Sequence, residues 1–102
     1  MYTVRMKELE FEWDPKKAKA NEKKHGVSFE DARTAFYDET AIVFHDPDHS
    51  EDEDRFILLG LSIRAGVLVV CHCLRESDSV VRIISARQTD KQEEKNYWEM
   101  RK

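Results

Sequence analysis

Glutamates and apolar side chains alternate along Glu8–Trp13, with Leu9, Phe11 and Trp13 on one side and Glu8, Glu10 and Glu12 on the other. A period of two predicts a half-buried strand with a glutamate face. Asp14-Pro15 then opens a helix, the aspartate as N-cap and the proline at the first helical position; it runs through Lys16–Lys24 and stops at Gly26. Its apolar stripe is thin, only Ala18 and Ala20, so packing alone holds it weakly while its backbone can lie close to a sheet. Ser28 caps a second helix, Asp31 stands in the place of the capping-box acid, and Phe29, Ala32 and Phe36 share one core-facing stripe.

Short apolar runs follow: Thr40–His45, Arg55–Ser62, Val67–Leu74 and Val80–Ala86, separated by an acidic loop, by Arg64-Ala65-Gly66 and by the polar Arg75–Ser79. These read as strands joined by tight connections, and Thr89 or Asp90, with Gln92 or Glu93 three residues on, caps a last helix. The order β-α-α-β-β-β-β-α predicts an α+β fold. Its antiparallel sheet has about four to five strands, with the helices packed on one face.

Composition narrows the class. The chain has 102 residues, 40% hydrophobic and 37% charged, which suits one folded domain over residues 1–102 and excludes a disordered tail. Residues 1–7 read as an N-terminal extension to it. The longest apolar run, Val67–Leu74 with His72 inside it, has strand length and is far short of the roughly 20 residues that span a bilayer. With no signal-peptide stretch at the N-terminus, a cytoplasmic protein with no membrane partner is expected. Cys71 and Cys73 sit two apart on one strand face, too far for an unstrained disulfide, and His72 points the other way, so the three cannot share a metal. No cofactor and no metal site are expected. The net charge is −4, but six of the 21 acids lie in Asp46–Asp54, leaving 15 against 17 lysines and arginines elsewhere. A local basic face is therefore compatible with an acidic chain. The acidic stretch lacks the order of a calcium loop, with Pro47 intruding and no turn glycine; it reads as a solvated loop or as a contact for a basic partner segment.

The ordered set Phe11-Glu12-Trp13-Asp14-Pro15-Lys16, Asn21, Lys24-His25-Gly26-Val27-Ser28-Phe29, Asp46-Pro47, His49-Ser50, Arg55-Phe56, Gly60, Arg82-Ile83-Ile84-Ser85-Ala86-Arg87, Glu93 and Tyr97 resembles the BrnT-type toxins. The resemblance covers Leu9 to Tyr97. It implies a RelE-like ribonuclease toxin of a type II toxin–antitoxin pair, acting on cellular RNA and blocking translation. The implied partner is a BrnA-type antitoxin with a ribbon-helix-helix DNA-binding domain, so that DNA is met only through the antitoxin. The final helix departs from the family in carrying Gln88, Gln92 and Glu94 where arginines and lysines are usual.

RNA cleavage without metal needs a base for the 2′-hydroxyl, a cation for the charge on phosphorus and an acid for the leaving 5′-oxygen. Arginine suits the phosphorane because its planar fork binds two oxygens. Arg82 and Arg87 are the candidates for that role; the alternative is ion pairing to the first-strand glutamates or to Glu93. Strict alternation puts Arg82 and Arg87 on opposite faces of the last strand. Lys24 and His25, at the C-terminal end of the first helix where its dipole favours a cation, are the proton-transfer candidates, His25 alternatively locking the helix end. Arg75 and Tyr97 are candidate RNA contacts, with core packing the competing role for Tyr97. The alternative function is a catalytically weak module that holds a DNA-binding partner and sets its repression, a reading that Gln88, Gln92 and Glu94 favour.

Overall fold

The computed structural model describes residues 9–50 and 53–100; the N-terminal extension expected for residues 1–7 and the acidic pair Glu51-Asp52 lie outside the described residues. The elements are β1 (Glu10–Glu12), α1 (Pro15–His25), α2 (Phe29–Ala35), β2 (Ile42–Asp46), a 3-10 turn (Pro47–His49), β3 (Arg55–Leu61), β4 (Val67–Arg75), β5 (Val80–Gln88) and α3 (Lys91–Met100). They form a five-stranded sheet in the order β1-β5-β4-β3-β2. The α+β class and the element order are those expected from the sequence.

Local chemistry accounts for the ends of the elements. Asp14 accepts from the Lys16 N–H at 2.8 Å, and Gly26 closes α1 with φ 72°, a left-handed conformation that glycine adopts without a Cβ clash. Ser28 accepts from the Asp31 N–H at 3.0 Å. At α3 the box is complete with Asp90 and Glu93: each carboxylate accepts from the other's backbone N–H, at 2.8 and 2.9 Å.

Two features of the sheet depart from expectation. β2 to β5 form the expected antiparallel meander, but β1 joins the edge parallel to β5, Glu12 opposite Arg82, so the sheet is mixed. The helices also divide between the two faces. α1 and α2 cover the face bearing Leu58, Leu68, Val70, Val81, Ile83 and Ala86, together with Val27 and Phe29. The α3 residue Tyr97 packs with Leu59, Val67 and Val69 on the other face. The reason lies in the central strands. β3 and β4 are apolar at odd and even positions alike, so both faces need cover. α3, ten residues long, covers only the Val67–Val69 end of its face.

Gly60 marks a close approach of the α2 end to the sheet. A Cβ there would stand 2.8 Å from the Ala35 carbonyl oxygen and 3.3 Å from the Ala41 Cβ. Asn21 ties α1 to β5. Its side-chain amide accepts from the Ala86 N–H at 3.0 Å and donates to the carbonyls of Ala86 and Val27 at 2.8 and 3.0 Å. β1 pairs only with Val80–Arg82, so beyond that point the amide does for Ala86 what a neighbouring strand would do.

Candidate functional site

The register of β4 against β5 slips at one point: Cys71 faces Ser85, His72 faces Ile83, and Ile84 is left unpaired. This is a β-bulge, and an extra residue reverses the alternation beyond it. Arg82 lies opposite Cys73 and Arg87 opposite Val69. Cys73 and Val69 are four residues apart on β4, on the same face, so their partners are on that face too. The bulge thus brings Arg82 and Arg87 together on the face that α3 only partly covers, against the strict alternation expected of them. Arg55, Arg75 and Ser85 share it through their pairings with β4 and β5.

Three of the four arginines on this face are held by glutamates. Arg82 donates to Glu12 Oε2 at 2.7 Å. Arg87 makes a two-pronged pair with Glu93 at 2.8 and 2.9 Å, and Glu93 belongs to the cap of α3. Arg75 lies 3.3 Å from Glu53 and 3.8 Å from Glu12. Hydrogen bonding to Glu12 and to Glu93 raises the affinity of Arg82 and Arg87 for their protons, and the Arg87 fork holds the Glu93 carboxyl below its ordinary range. The ion pairing weighed from the sequence, to the first-strand glutamates and to Glu93, is thus present. It leaves each arginine half-exposed beside a carboxylate, a cation and a proton acceptor on one surface.

The other candidates fall as follows. Lys24 and His25 follow Asn21 at i+3 and i+4, on the same helix side, one turn beyond the clamp on Ala86. Both are exposed, and among the described residues no hydrogen bond or ion pair joins them to the arginine face. Tyr97 is fully buried, and its hydroxyl donates to Asp38 Oδ2 and lies 2.9 Å from Thr40 Oγ1. It pins α3 to the sheet and has no open ring face on which a base could stack, which corrects its reading as an RNA contact. Burial raises the Cys73 thiol above its ordinary value, and burial lowers the pKa of His72 on the opposite face, 4.8 Å from the Phe36 ring.

Glu12 and Arg55 stood in the sequence only as parts of the resembling motifs, with no site role given to them, and Glu53 only as part of the acidic stretch. For Glu12 the signal was the glutamate side of the first strand; Glu53 was hidden in an acidic run and Arg55 in an ordinary strand start.

The acidic loop holds a constellation of its own. Ser50 Oγ and Asp54 Oδ1 both lie 3.2 Å from His45 Nε2. A nucleophilic triad needs the serine and the carboxylate on different ring nitrogens. Here both meet one nitrogen, and Ser50 donates instead to the Asp46 carbonyl at 2.6 Å while accepting from the Arg55 N–H at 2.9 Å. The arrangement orders the loop. Among the described residues no cluster of three or more His, Cys, Asp or Glu side chains is placed to hold a metal, and no helix is long and apolar enough to cross a membrane.

Between α3 and the sheet runs a groove of about 330 Å³ floored by Ile42, Phe44, Ile57, Leu59 and Val69, with Arg87 and Glu93 on its wall.

The chain belongs to the family of BrnT ribonuclease toxins of type II toxin–antitoxin systems, whose model matches residues 13–93. Its fold is similar to that of the Brucella abortus ribonuclease toxin BrnT, known from a crystal structure at 1.1 Å. The TM-score is 0.62 at 22% identity, over 82% of this chain and 100% of that one. No curated protein sequence matches.

Proposed function

We propose that the chain is a metal-independent endoribonuclease that cleaves cellular RNA and so stops translation, and that a ribbon-helix-helix antitoxin of the BrnA type holds it inactive. The observation that carries this reading is the pairing of Arg82 with Glu12 and of Arg87 with Glu93 on one partly open sheet face. In-line attack by the 2′-oxygen on the adjacent phosphorus forms a 2′,3′-cyclic phosphate and breaks the bond to the 5′-oxygen. The 2′-proton passes to a carboxylate, Glu12 or Glu93, and the arginines meet the growing charge on the phosphoryl oxygens. The leaving oxygen takes its proton from Lys24 or His25, which follow Asn21 at the β5 edge that β1 leaves open, where Asn21 bonds the Ala86 backbone next to Arg87. Arg75 holds the flanking backbone. DNA is reached only through the antitoxin, and no cofactor takes part.

The test is to induce the chain alone, follow growth and RNA integrity, and incubate the purified protein with RNA in excess EDTA. Growth arrest with RNA ending in 2′,3′-cyclic phosphate, undiminished by EDTA, supports the reading. Activity that vanishes on chelation and returns with one divalent ion overturns the metal-free chemistry. Intact RNA and normal growth would favour the second reading, a catalytically weak module that holds a DNA-binding antitoxin. That reading is supported by the neutralisation of Arg75, Arg82 and Arg87 by glutamates.

A further inference from the structure

We propose that Arg55 and Arg82 form a phosphate-binding site at one level of the sheet, and that Arg55 is the residue that takes a backbone phosphate of the RNA. The inference rests on the ribonuclease reading and names the group that seats its substrate.

One register row crosses all five strands: Asp46, Arg55, Cys73, Arg82 and Glu12 stand side by side on the same face. At the strand spacing of about 4.8 Å, the backbones of Arg55 and Arg82 are about 10 Å apart. Two arginine side chains starting at that distance are long enough to meet over the small, buried Cys73 between them. Among the described residues the two ends of the row differ. Arg82 has Glu12. Arg55 has no ion pair, and its Nε–H is buried with no hydrogen-bond acceptor. Asp46, the carboxylate directly opposite it, is turned to His49 at 2.8 Å.

An arginine cannot shed its charge to relieve such a position. A buried donor on a permanent cation needs an anion whose oxygen reaches it. The Nε–H and the neighbouring Nη–H point in parallel along one edge of the guanidinium and match the two unbridged oxygens of a phosphodiester. The backbone below is fixed, because Ser50 accepts from the Arg55 N–H at 2.9 Å and donates to the Asp46 carbonyl. The fork is thus presented from a rigid strand start. A phosphate bridging Arg55 and Arg82 would compete with Glu12 for Arg82 and free that carboxylate to act as proton acceptor.

The experiment measures binding of a short 2′-O-methyl RNA, which has no free 2′-hydroxyl and cannot be cleaved, by fluorescence anisotropy over a salt series. Wild type, Arg55→Gln, Arg82→Gln and the turn variant Arg64→Gln are compared, and cleavage of unmodified RNA is followed for wild type and Arg55→Lys. The expected result is that Arg55→Gln weakens binding about tenfold and lowers the slope of log K against log salt by about 0.7, one phosphate contact on a single strand. Arg64→Gln, which removes the same charge from an exposed turn, should leave the slope unchanged. If Arg55→Gln fails to fold, Arg55→Lys decides: it keeps the charge but not the fork, and should cut RNA about tenfold more slowly. Wild-type cleavage by Arg55→Lys would overturn the proposal. So would wild-type affinity and slope in Arg55→Gln while Arg82→Gln binds weakly, a result that leaves the ribonuclease reading intact. Weakened antitoxin binding by Arg55→Gln with RNA binding unchanged would assign the fork to a partner's carboxylate and overturn it too. A wild-type protein that neither binds nor cuts RNA would overturn the ribonuclease reading and this inference with it.

Discussion

Arg82 and Arg87 point from the same face of β5 although they stand five positions apart, an odd spacing, because Ile84 is left out of the pairing with β4. Without that bulge the Arg87 fork would leave the face that carries Glu12, Arg55 and Arg75. A bulge in place of continuous pairing forfeits ladder hydrogen bonds and sharpens the local twist. Here it aligns two cations.

Loss of either cation should therefore disable the protein without unfolding it. Arg82→Ala and Arg87→Ala are each expected to relieve growth arrest on induction, with cleavage slowed by about 10²–10³-fold, the usual scale for removing one preorganised donor from a transition state. Both guanidiniums are partly exposed, so stability should change little for Arg82→Ala. Arg87→Ala also frees Glu93, which remains engaged in the cap of α3. Thermal melts run beside the growth assay separate the two effects. Full toxicity in both variants removes the arginines from the mechanism, and unfolding in both returns them to a structural role.

Stability should depend on pH through His72. Burial lowers its folded-state pKa below the ordinary 6.5, while its ring stays hydrogen-bonded at 3.2 Å to the Val70 carbonyl. The unfolded chain therefore binds more protons than the folded one once the pH drops below about 6.5. The contribution of the neutral ring is full above that value and is lost as the pH falls toward the folded pKa. A second loss comes at lower pH. Glu93 and Asp38 have folded pKa values below the ordinary carboxylate range, Glu93 by the Arg87 hydrogen bonds. For Asp38 burial pushes the other way but is outweighed by the Leu61 and Thr40 N–H groups and the Tyr97 hydroxyl. Melting temperatures across pH 7 to 5 should fall in wild type and fall less in His72→Gln. Parallel slopes would show that His72 is not the group that titrates.

The element order was legible because each element carries its own punctuation: Asp14-Pro15 and Gly26 for α1, Ser28 for α2, and Asp90 with Glu93 for α3. The sheet faces were legible only as far as alternation holds. Phe11 is inward and Glu12 outward as the period of two requires, but nothing in Ile83-Ile84-Ser85 marks Ile84 as the residue to be omitted, since all three suit a strand. The position of α3 was implicit in Val67-Leu68-Val69-Val70, an apolar run too continuous for a sheet covered on one side. The first strand was legible from its alternation, but its parallel place at the sheet edge was not: Glu10–Glu12 is three residues long, and its partner lies about seventy positions away. The glutamate face of the first strand offered Arg82 its counter-charge, but which of those glutamates meets it depends on a register that no local spacing records.

Asn21 and Gly60 test how the sheet is held. Asn21→Ala leaves the Ala86 N–H and carbonyl without the amide that satisfies them. With the Val27 carbonyl also losing its donor, the change is expected to destabilise the fold by about 2–4 kcal/mol, one buried donor and two buried acceptors. Gly60→Ala puts a methyl group 2.8 Å from the Ala35 carbonyl oxygen, a backbone atom that cannot rotate away, and should cost about 1–3 kcal/mol. Denaturant titration measures both. A Gly60→Ala variant as stable as wild type would mean that α2 can slide from the sheet without loss.

The last prediction concerns the attachment of α3. The Tyr97 hydroxyl meets Asp38 and Thr40, while Asp38 also accepts from the Leu61 N–H at 2.8 Å and from the Thr40 N–H at 3.0 Å. One carboxylate thus joins the α2–β2 connection, the end of β3 and the helix bearing Glu93. Tyr97→Phe keeps the ring packed on Leu59, Val67 and Val69 and removes only the hydroxyl. The expected loss is about 1–2 kcal/mol, the worth of a hydrogen bond to a charged group less the remaining solvation of Asp38. Because Asp38 keeps its two backbone donors, the fold should survive, and the weakness should appear in α3. Hydrogen exchange should quicken in Lys91–Met100 and stay slow in β3–β5. Since Glu93 rides on that helix, the grip on Arg87 should loosen as well, and cleavage should slow with RNA affinity unchanged. Uniform acceleration of exchange through the sheet would show instead that the Tyr97–Asp38 contact supports the whole domain, not one helix.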